Sequence, residues 1–364
     1  MIMNLKAKEL LDILDTDYAL ITNPMNVFYF TGAKLDPHER LLAVVIDKDK
    51  KESTIIYPKL DEETIKKDGT VDHLSPHEDG EDAFQYIFDK IPEGKTVGVE
   101  GDHLTYERYK RLIEKYDDKD IKDISNTVNK LRGVKDEDDL EKLKEAVKIT
   151  EDALSELYNI TVEGKTETEI ADFLVEEFKK RGAVGPSFGP TVLAGDKSAL
   201  PHGEPGDRVI KKGDFLLIDF GIVSKDNYVS DMTRTFFIGE PDEKQREIYN
   251  SVLNANLAGI KSSTIGTTFS QIDKASRDVI EADGYGEYFT HRVGHGLGHD
   301  LHERPSVDDN NHDELNEGNV ITIEPGIYIP EYGGVRIEDA LFAAEEGPIV
   351  LNEFKKDIDG MILK

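Results

Sequence analysis

The sequence of 364 residues contains no cysteine and no tryptophan. Without cysteine the chain forms no disulfide bond and uses no thiolate as a nucleophile or as a metal ligand. It also lacks a run of 18 apolar residues, and residues 1–9 lack the basic and then apolar pattern of a signal peptide. We therefore expect a cytoplasmic protein that has no membrane partner.

Positive charge is scarce, because 45 basic residues stand against 75 acidic ones and give a formal net charge of -30. Proteins bind DNA, RNA and anionic membranes through basic surfaces, so we expect no nucleic-acid partner. The chain is long enough for two domains. Short apolar strands alternate with amphipathic segments and predict an α/β domain over residues 1–125, followed by a second domain over residues 126–364.

The apolar spacing predicts the main elements of both domains. Asn23-Pro24-Met25-Asn26 predicts a break in regular structure. In the first domain we expect helices at residues 5–14, 82–91 and 104–116, and strands at residues 18–21, 41–46, 54–57 and 96–100. In the second domain we expect helices at residues 136–158, 166–181, 243–260 and 269–282.

One segment of the second domain is repeated. Residues 213–221 read Gly-Asp-Phe-Leu-Leu-Ile-Asp-Phe-Gly, and residues 318–326, 105 positions later, read Gly-Asn-Val-Ile-Thr-Ile-Glu-Pro-Gly. Each copy is a turn pair, an apolar run of strand length, a carboxylate and a glycine. A second extended segment with its own carboxylate follows each copy. Two such strand pairs predict two half-sites related by a pseudo-twofold axis.

The repeat places four carboxylates at matching positions, namely Asp219, Asp231, Glu324 and Glu338. A carboxylate at the end of a buried strand is unfavourable unless it is paired with a cation. One such acid alone is typical of a helix cap or an ion pair. Four at repeated positions, with few lysines or arginines in the same strands, indicate a pair of divalent metal ions held by oxygen ligands.

Histidines are concentrated between the two copies, where His291, His295, His299 and His302 lie within twelve positions. The glycines among them allow a phosphate-binding loop, but the spacing is not that of a dinucleotide fingerprint. Three glycines at alternate positions disfavour a helix. We expect instead that they let the backbone approach a ligand while several imidazoles converge. His202, in an irregular segment before the first copy, is a further candidate.

These segments resemble the motifs of the dinuclear pita-bread metallopeptidases, the family of methionine aminopeptidases, Xaa-Pro aminopeptidases and prolidases. The matching segments are Leu217-Ile218-Asp219-Phe220-Gly221, Ser230-Asp231-Met232-Thr233-Arg234, Val293-Gly294-His295-Gly296-Leu297-Gly298, Ile323-Glu324-Pro325-Gly326 and Val335-Arg336-Ile337-Glu338-Asp339. The resemblance covers the whole second domain. It implies an α+β protein, with a creatinase-like α/β domain followed by a pita-bread domain with a pseudo-twofold repeat.

The resemblance also implies a metal ligand set. In it, Asp231 and Glu338 bridge two ions, Asp219 completes one, and His295 and Glu324 complete the other. Oxygen-rich ligation with a single histidine suits Mn²⁺, although Co²⁺ or Zn²⁺ also fits such a site.

Further residues receive roles as catalysts or substrate contacts. The resemblance gives Glu324 a second role as proton shuttle, and lets His302 donate to the oxyanion or the substrate carbonyl. His202 and His291 then line the substrate side. The two-residue period of a strand places Arg336 on the face of Glu338, where it orients ligand carboxylates.

The extra N-terminal domain resembles that of the proline-specific branch, and the loop Asp36-Pro37-His38-Glu39-Arg40 resembles that of bacterial Xaa-Pro dipeptidases. A bond to the proline nitrogen has no N–H for strand pairing. The resemblance therefore implies a hydrolase that cleaves Xaa-Pro dipeptides through a hydroxide bridging two metal ions. Arg292, with Arg304 as a second candidate, would bind the free carboxylate of the dipeptide. His38 would cover the pocket, in a homodimer from the partner subunit.

Two other functions stay open at this point. An Xaa-Pro aminopeptidase acting on longer peptides would use the same chemistry. A creatinase-like enzyme without metal, or a binding protein on the same fold, would belong to a different class. The five ligand positions favour the metal-dependent hydrolase.

Overall fold

The computed structural model describes residues 3–363, which form two compact units that divide between Leu131 and Arg132. The helices of the first unit are α1 (Leu5–Ile13), α2 (Pro24–Thr31), α3 (Glu62–Asp68), α4 (Ala83–Lys90) and α5 (Tyr106–Ile113), and α6 (Ser125–Gly133) runs across the division. Its strands are β1 (Tyr18–Ile21), β2 (Ala43–Asp47), β3 (Glu52–Pro58), β4 (His73–His77), β5 (Val97–Val99) and β6 (Ile121–Asp123). The domain boundary predicted after residue 125 stays a prediction.

The six strands of this unit form one sheet in the order β4-β3-β2-β1-β5-β6. Strand β2 is antiparallel to both β1 and β3, and the remaining pairs are parallel. Successive side chains pack into two clusters, since Ala19 and Ile21 belong to one and Tyr18 and Leu20 to the other. Helices cover both faces of the sheet, which explains the almost continuous apolar runs of its central strands.

Helix α2 differs from the sequence prediction, which placed a break at residues 23–26. The side chain of Asn23 accepts hydrogen bonds from the backbone nitrogens of Met25 and Asn26, and Pro24 occupies the first helical turn. Proline is compatible with that position because its missing N–H would have no partner inside the helix. The helix ends at Gly32, whose φ of 77° lies in the left-handed region.

The second unit contains the four predicted helices, each within three residues of the expected ends, as α7 (Glu137–Ser155), α8 (Glu167–Lys180), α9 (Glu243–Ser262) and α10 (Phe269–Ala282). Its first strands are β7 (Gly185–Pro186), β8 (Thr191–Ala194), β9 (Phe215–Phe220), β10 (Ile222–Val223) and β11 (Met232–Ile238). Its later strands are β12 (Gly294–Gly296), β13 (Glu303–Val307), β14 (Val320–Ile323), β15 (Gly326–Ile329), β16 (Gly333–Arg336), β17 (Asp339–Ala344), β18 (Gly347–Val350) and β19 (Ile362–Leu363).

The repeat predicted from two nine-residue segments extends over most of this unit. A helix pair, α7 and α8, precedes the antiparallel strands β8-β9-β11, and a second pair, α9 and α10, precedes the antiparallel strands β12-β14-β17. All four helices begin with a capping box, at Asp136, Thr166, Asp242 and Thr268. The pseudo-twofold organisation of the fold is therefore confirmed.

The two sets of three strands lie in different sheets. One sheet has the order β19-β11-β9-β8 and the other the order β13-β12-β14-β17-β18. Their inner side chains, such as Ile218 of β9 and Ile321 and Ile323 of β14, share one hydrophobic core with the helices. None of the helices within residues 3–363 is long and apolar enough to cross a membrane.

Candidate metal centre

The first two predicted ligands lie on one β-hairpin. Asp219 stands near the end of β9 and pairs in register with Thr233 of β11, and Asp231 directly precedes β11. Side chains alternate between the two faces of a strand, and Ile218 and Phe220 on either side of Asp219 point into the core. The acid is thereby directed to the opposite face.

The second pair of acids occupies the equivalent places of the second repeat. Glu324 directly follows β14, and Glu338 directly precedes β17. These strands pair so that Ile323 lies opposite Asp339. The antiparallel strands β15 and β16 lie between Glu324 and Glu338 in the sequence. Both pairs of acids thus lie where two antiparallel strands meet, as the repeated segments predicted.

His295 is the central residue of β12, so the structure has a strand at a place where a helix was disfavoured. Its flanking glycines lie against neighbouring strands. A Cβ on Gly294 would lie 1.9 Å from the carbonyl oxygen of Thr322, and one on Gly296 would lie 2.5 Å from that of Arg304. These glycines accommodate the backbones of neighbouring strands, and the expectation that they also let the backbone approach a ligand stays a prediction.

The imidazole of His295 is oriented for metal binding. Its Nδ1 lies 3.0 Å from the carbonyl oxygen of Gly296, which can only accept a hydrogen bond, so Nδ1 carries the proton. In the neutral ring Nε2 then presents a lone pair, 3.4 Å from Glu324 Oε1 and 3.5 Å from Asp231 Oδ2. A backbone acceptor that fixes the tautomer in this way is typical of metal-ligating histidines.

Three carboxylate oxygens of this cluster are buried without a hydrogen-bond partner among residues 3–363, and they belong to Asp219, Asp231 and Glu338. Burial and the neighbouring carboxylates raise the pKa of Asp231 and Glu338 well above their usual range. Burial also raises the pKa of Glu324, to about 7. Buried acids that lack partners and repel one another require compensating positive charge.

The residues present fit divalent cations. One ligand atom from each of Asp231, His295 and Glu338 lies within 4.8 Å of the others, and Glu324 and Asp219 extend this group. Protein ligands lie about 2.0–2.2 Å from an ion such as Zn²⁺, so two of them span up to about 4 Å. The separations of 3.4 and 3.5 Å around His295 Nε2 agree with a shared ion. The structure therefore brings together all five residues of the predicted ligand set.

Arg336 lies beside these acids, on the face that the strand period predicted. Its Nη2 donates to Asp219 Oδ2 at 2.5 Å, and its Nε donates to Thr233 Oγ1 at 3.0 Å. The hydroxyl of Thr233 donates to Glu338 Oε2 at 2.9 Å. Sequence reasoning did not single out Thr233, although its position two residues after Asp231 on an extended segment places both on one face.

Tyr328 is a second residue that sequence reasoning did not identify. Its hydroxyl accepts a hydrogen bond from Arg336 Nη1 at 2.8 Å and lies 2.8 Å from Nε2 of His291. The Nδ1 of His291 donates to the carbonyl of Arg292, so the tyrosine hydroxyl donates to Nε2. Burial, together with the charge of Arg336, lowers the pKa of His291 to about 4. His291 is therefore a neutral imidazole linked to the acids through Tyr328 and Arg336.

His302 lies directly beside His295, with ring centroids 4.4 Å apart and planes at 87°. Partial burial, together with the neighbouring His295 ring and the charge of Arg292, lowers the pKa of His302 to about 4. His202 is exposed and acts electrostatically on both His291 and His302, so it lies near both rings. Arg292 donates to Ser306 Oγ at 3.2 Å. Its charge also acts on His302.

Two other candidate residues, His299 and His38, have different surroundings. His299 is not directed to the acids, because its Nδ1 donates to the carbonyl of Asn227 and its ring packs against Tyr228. His38 belongs to the first unit, where its side chain is 71% exposed and lies on a turn with a φ of 52°. Its role in substrate binding stays a prediction.

The chain was compared with known families and proteins. A model of metallopeptidase family M24 matches residues 141–345, and a model of the creatinase/prolidase N-terminal domain matches residues 5–134. An uncharacterised peptidase of Staphylococcus epidermidis is 39% identical over 96% of this chain and 99% of its own length.

Solved structures agree with these matches. The Xaa-Pro dipeptidase from Bacillus anthracis superposes with a TM-score of 0.88 at 34% identity, covering 98% of each chain. The X-Pro aminopeptidase from Thermotoga maritima superposes with a TM-score of 0.87 at 30% identity, covering 98% of this chain and 99% of its own. The resemblance inferred from the sequence motifs is thus confirmed. The chain belongs to metallopeptidase family M24, the pita-bread metallopeptidases, and carries the N-terminal domain found in creatinases and prolidases.

Proposed function

We propose that this protein is a metal-dependent Xaa-Pro dipeptidase that holds two divalent ions in each chain. The observation that carries the proposal is the convergence of Asp219, Asp231, His295, Glu324 and Glu338, with three buried carboxylate oxygens lacking partners in the described chain. Its likeness to the Xaa-Pro dipeptidase from Bacillus anthracis over 98% of both chains supports the substrate class.

Asp219, Asp231, His295, Glu324 and Glu338 would together hold the two ions. When bound, such ions polarise the scissile carbonyl and make water nucleophilic at neutral pH. A set of four carboxylates and one imidazole favours a hard cation, and we assign Mn²⁺, with Co²⁺ and Zn²⁺ as the ions that would compete.

Glu324 is the residue we assign to proton transfer. Its carboxylate lies 3.4 Å from Nε2 of His295, inside the cluster of candidate ligands, where it is placed to act as a general acid–base group. It would accept a proton from the attacking water and deliver it to the proline nitrogen. That nitrogen leaves as a secondary amine and must be protonated, because a tertiary amide bond is broken.

The histidines on the substrate side would bind the reacting carbonyl. His302 is adjacent to His295 and would donate a hydrogen bond to the developing oxyanion, with a smaller contribution from His202. His291 and Arg336 are joined through Tyr328 and would fix the wall of the pocket.

The carboxylate of a dipeptide would be bound by Arg292, whose charge already acts on His302. We further propose a cytoplasmic homodimer in which His38 contributes to the pocket of the partner subunit. A free carboxylate next to proline distinguishes a dipeptide from a longer substrate, so these two residues would set substrate length.

The second candidate is an Xaa-Pro aminopeptidase acting on longer peptides. It is favoured by the likeness to the X-Pro aminopeptidase from Thermotoga maritima at a TM-score of 0.87. A metal-free enzyme or a binding protein on this fold would leave the three unpartnered carboxylate oxygens without a function, so we do not favour it.

The test compares Xaa-Pro with Xaa-Pro-Xaa-Xaa in the presence of Mn²⁺, using Asp231→Asn as the inactive control. We expect efficient cleavage of the dipeptide and a sharp drop in kcat/KM when residues are added after proline. Equal cleavage of both substrates would favour the aminopeptidase. A protein that binds no divalent ion by metal analysis would contradict both.

A further inference from the structure

Glu303 directly follows His302 and is a buried acid that the proposed reaction does not use. Its side chain is 4% exposed, and its carboxylate accepts a hydrogen bond from Lys135 Nζ at 2.8 Å and another from Nη2 of Arg132. Arg132 Nη2 also donates to Asp300 Oδ2 at 2.8 Å. Burial alone would raise the pKa of Glu303, but the charges of Lys135 and Arg132 outweigh it and hold the pKa well below its usual range.

The same carboxylate organises the turn that leads to His302. The backbone nitrogens of His299 and Asp300 donate to Glu303 Oε1 at 2.8 and 3.0 Å. A Cβ on Gly298 would lie 2.6 Å from Oε2, so the turn closes tightly around the acid. Residues 298–303 are thus folded about a charged group rather than about an apolar side chain.

The two cations are themselves fixed to the strand that leads to a proposed ligand. The backbone nitrogen of Lys135 donates to the carbonyl of Gly318 at 2.8 Å, and Asn319 Nδ2 donates to the carbonyl of Gly133 at 2.9 Å. Gly318 and Asn319 immediately precede β14, which ends next to Glu324. The cluster therefore connects the turn of His302 to the strand of Glu324.

We propose that Glu303, held by Lys135 and Arg132, is a positioning residue that sets the orientation of His302 beside His295. The inference rests on the proposed function, in which His302 donates to the substrate carbonyl. A donor acts on an oxyanion only from a narrow range of positions, so a small rotation of the turn reduces transition-state stabilisation more than substrate binding.

The primary test is Glu303→Gln, which keeps the shape of the side chain and removes its charge. We expect kcat to fall about tenfold or more while KM changes by less than about threefold, the pattern of an interaction made in the transition state. Bound Mn²⁺ per chain should not change, because none of the five ligands is altered.

Glu177→Gln is the matched control. Glu177 is also a mostly buried acid with one lysine and one arginine partner, since Lys180 Nζ and Arg181 Nη1 lie 2.7 and 2.6 Å from its oxygens. It lies on α8 and not in the turn of residues 298–303 that leads to His302. We expect wild-type kcat for this variant.

A double-mutant cycle with His302→Ala separates positioning from general destabilisation. If Glu303 acts through His302, Glu303→Gln lowers kcat in the wild-type background and has no further effect in the His302→Ala background. An equal loss of kcat in both backgrounds would overturn the inference, as would unchanged kcat in Glu303→Gln alone.

Two further measurements keep the test decisive. If Glu303→Gln does not fold, Lys135→Met gives the same comparison with Arg132 still neutralising the acid, and Lys135→Arg should restore kcat. Independently of activity, the His302 imidazole signal in NMR spectra of the metal-free protein should move in Glu303→Gln and not in Glu177→Gln. If the wild type cleaves no Xaa-Pro peptide, the proposed function fails while this signal still decides the positioning role.

Discussion

Arg336 and Asp219 form a buried ion pair in which the guanidinium Nη2 lies 2.5 Å from the carboxylate Oδ2. The same guanidinium donates through Nε to Thr233, and the hydroxyl of Thr233 donates to Glu338. Acids from the two halves of the repeat are therefore held by one chain of hydrogen bonds made only of protein atoms. This arrangement preorganises the acids before an ion binds.

Thr233→Val should weaken metal binding while the protein stays folded. Valine matches the shape of threonine but cannot donate to Glu338 Oε2, so one proposed ligand loses its orientation. Losing such an outer contact typically costs about 10–100-fold in metal affinity. Titration calorimetry with Mn²⁺ checks this.

The control for that variant is Thr31→Val in the first unit, where a buried hydroxyl bonds only to nearby backbone at Val27 and Ala33. It removes a comparable hydroxyl and should leave Mn²⁺ affinity unchanged. Equal affinity in Thr233→Val and wild type would show that the hydroxyl does not orient Glu338.

Relative to a Glu324→Gln variant, the metal-free wild type should lose stability as the pH rises from about 4.5 to about 7. Burial raises the pKa of Glu324 from 4.5 to about 7, so the folded state binds this proton more tightly than the unfolded state. The corresponding stabilisation is complete below the unfolded pKa and disappears as the pH rises through the folded one. Thermal unfolding in the presence of a chelator, from pH 5 to 8, measures the effect.

Glu338→Gln tests the same electrostatics at one residue. It removes an acid whose pKa is raised by burial and by Asp231, and should raise the Tm of the metal-free protein at pH 8. It should also abolish the stabilisation that Mn²⁺ gives to the wild type. A lower Tm than wild type without metal would mean that this carboxylate is already compensated by the protein.

His302→Ala should distinguish a substrate contact from a ligand. We expect both ions to remain bound and kcat to fall by about 10²-fold or more, as when an oxyanion donor is removed. His295→Ala, by contrast, should lose metal. Metal analysis combined with steady-state kinetics separates the two, and loss of metal from His302→Ala would make His302 a ligand instead.

Arg292→Ala should raise KM for Xaa-Pro dipeptides more than it lowers kcat. A cation that binds the terminal carboxylate stabilises ground state and transition state alike, so its loss appears mainly in KM. Arg304→Ala tests the second candidate in the same way, and Lys274→Ala, which removes an exposed cation of α10, provides the control. Similar KM values for Arg292→Ala and wild type would exclude Arg292 as the carboxylate anchor.

Much of the fold, and the four acids of the candidate ligand set, could be predicted because both depend on local patterns. The four capped helices follow from helical apolar spacing, and Asp219 and Glu324 follow from acids at the ends of apolar runs. The helix at Pro24 was missed because proline reads as a breaker unless its first-turn position is recognised. The strand contacts of Gly294 and Gly296 were not foreseen, because contacts between distant strands cannot be seen in one segment.

The supporting residues were beyond sequence reasoning because their partners lie far apart in the chain. Tyr328 stands in an ordinary strand, and only the fold brings its hydroxyl to His291 and Arg336. Glu303 likewise meets Lys135 across 168 positions. Such pairs have no shared period or spacing, so a single sequence gives no signal for them.

The division of the ligands between two sheets has a consequence for how the site is built. The four-stranded sheet supplies Asp219 and Asp231, and the five-stranded sheet supplies His295, with Glu324 and Glu338 at its strand ends. Neither repeat alone carries a complete coordination shell for two ions. If these residues hold the ions as proposed, metal affinity would depend on how the two sheets are placed relative to each other, and a displacement of one sheet would lower that affinity.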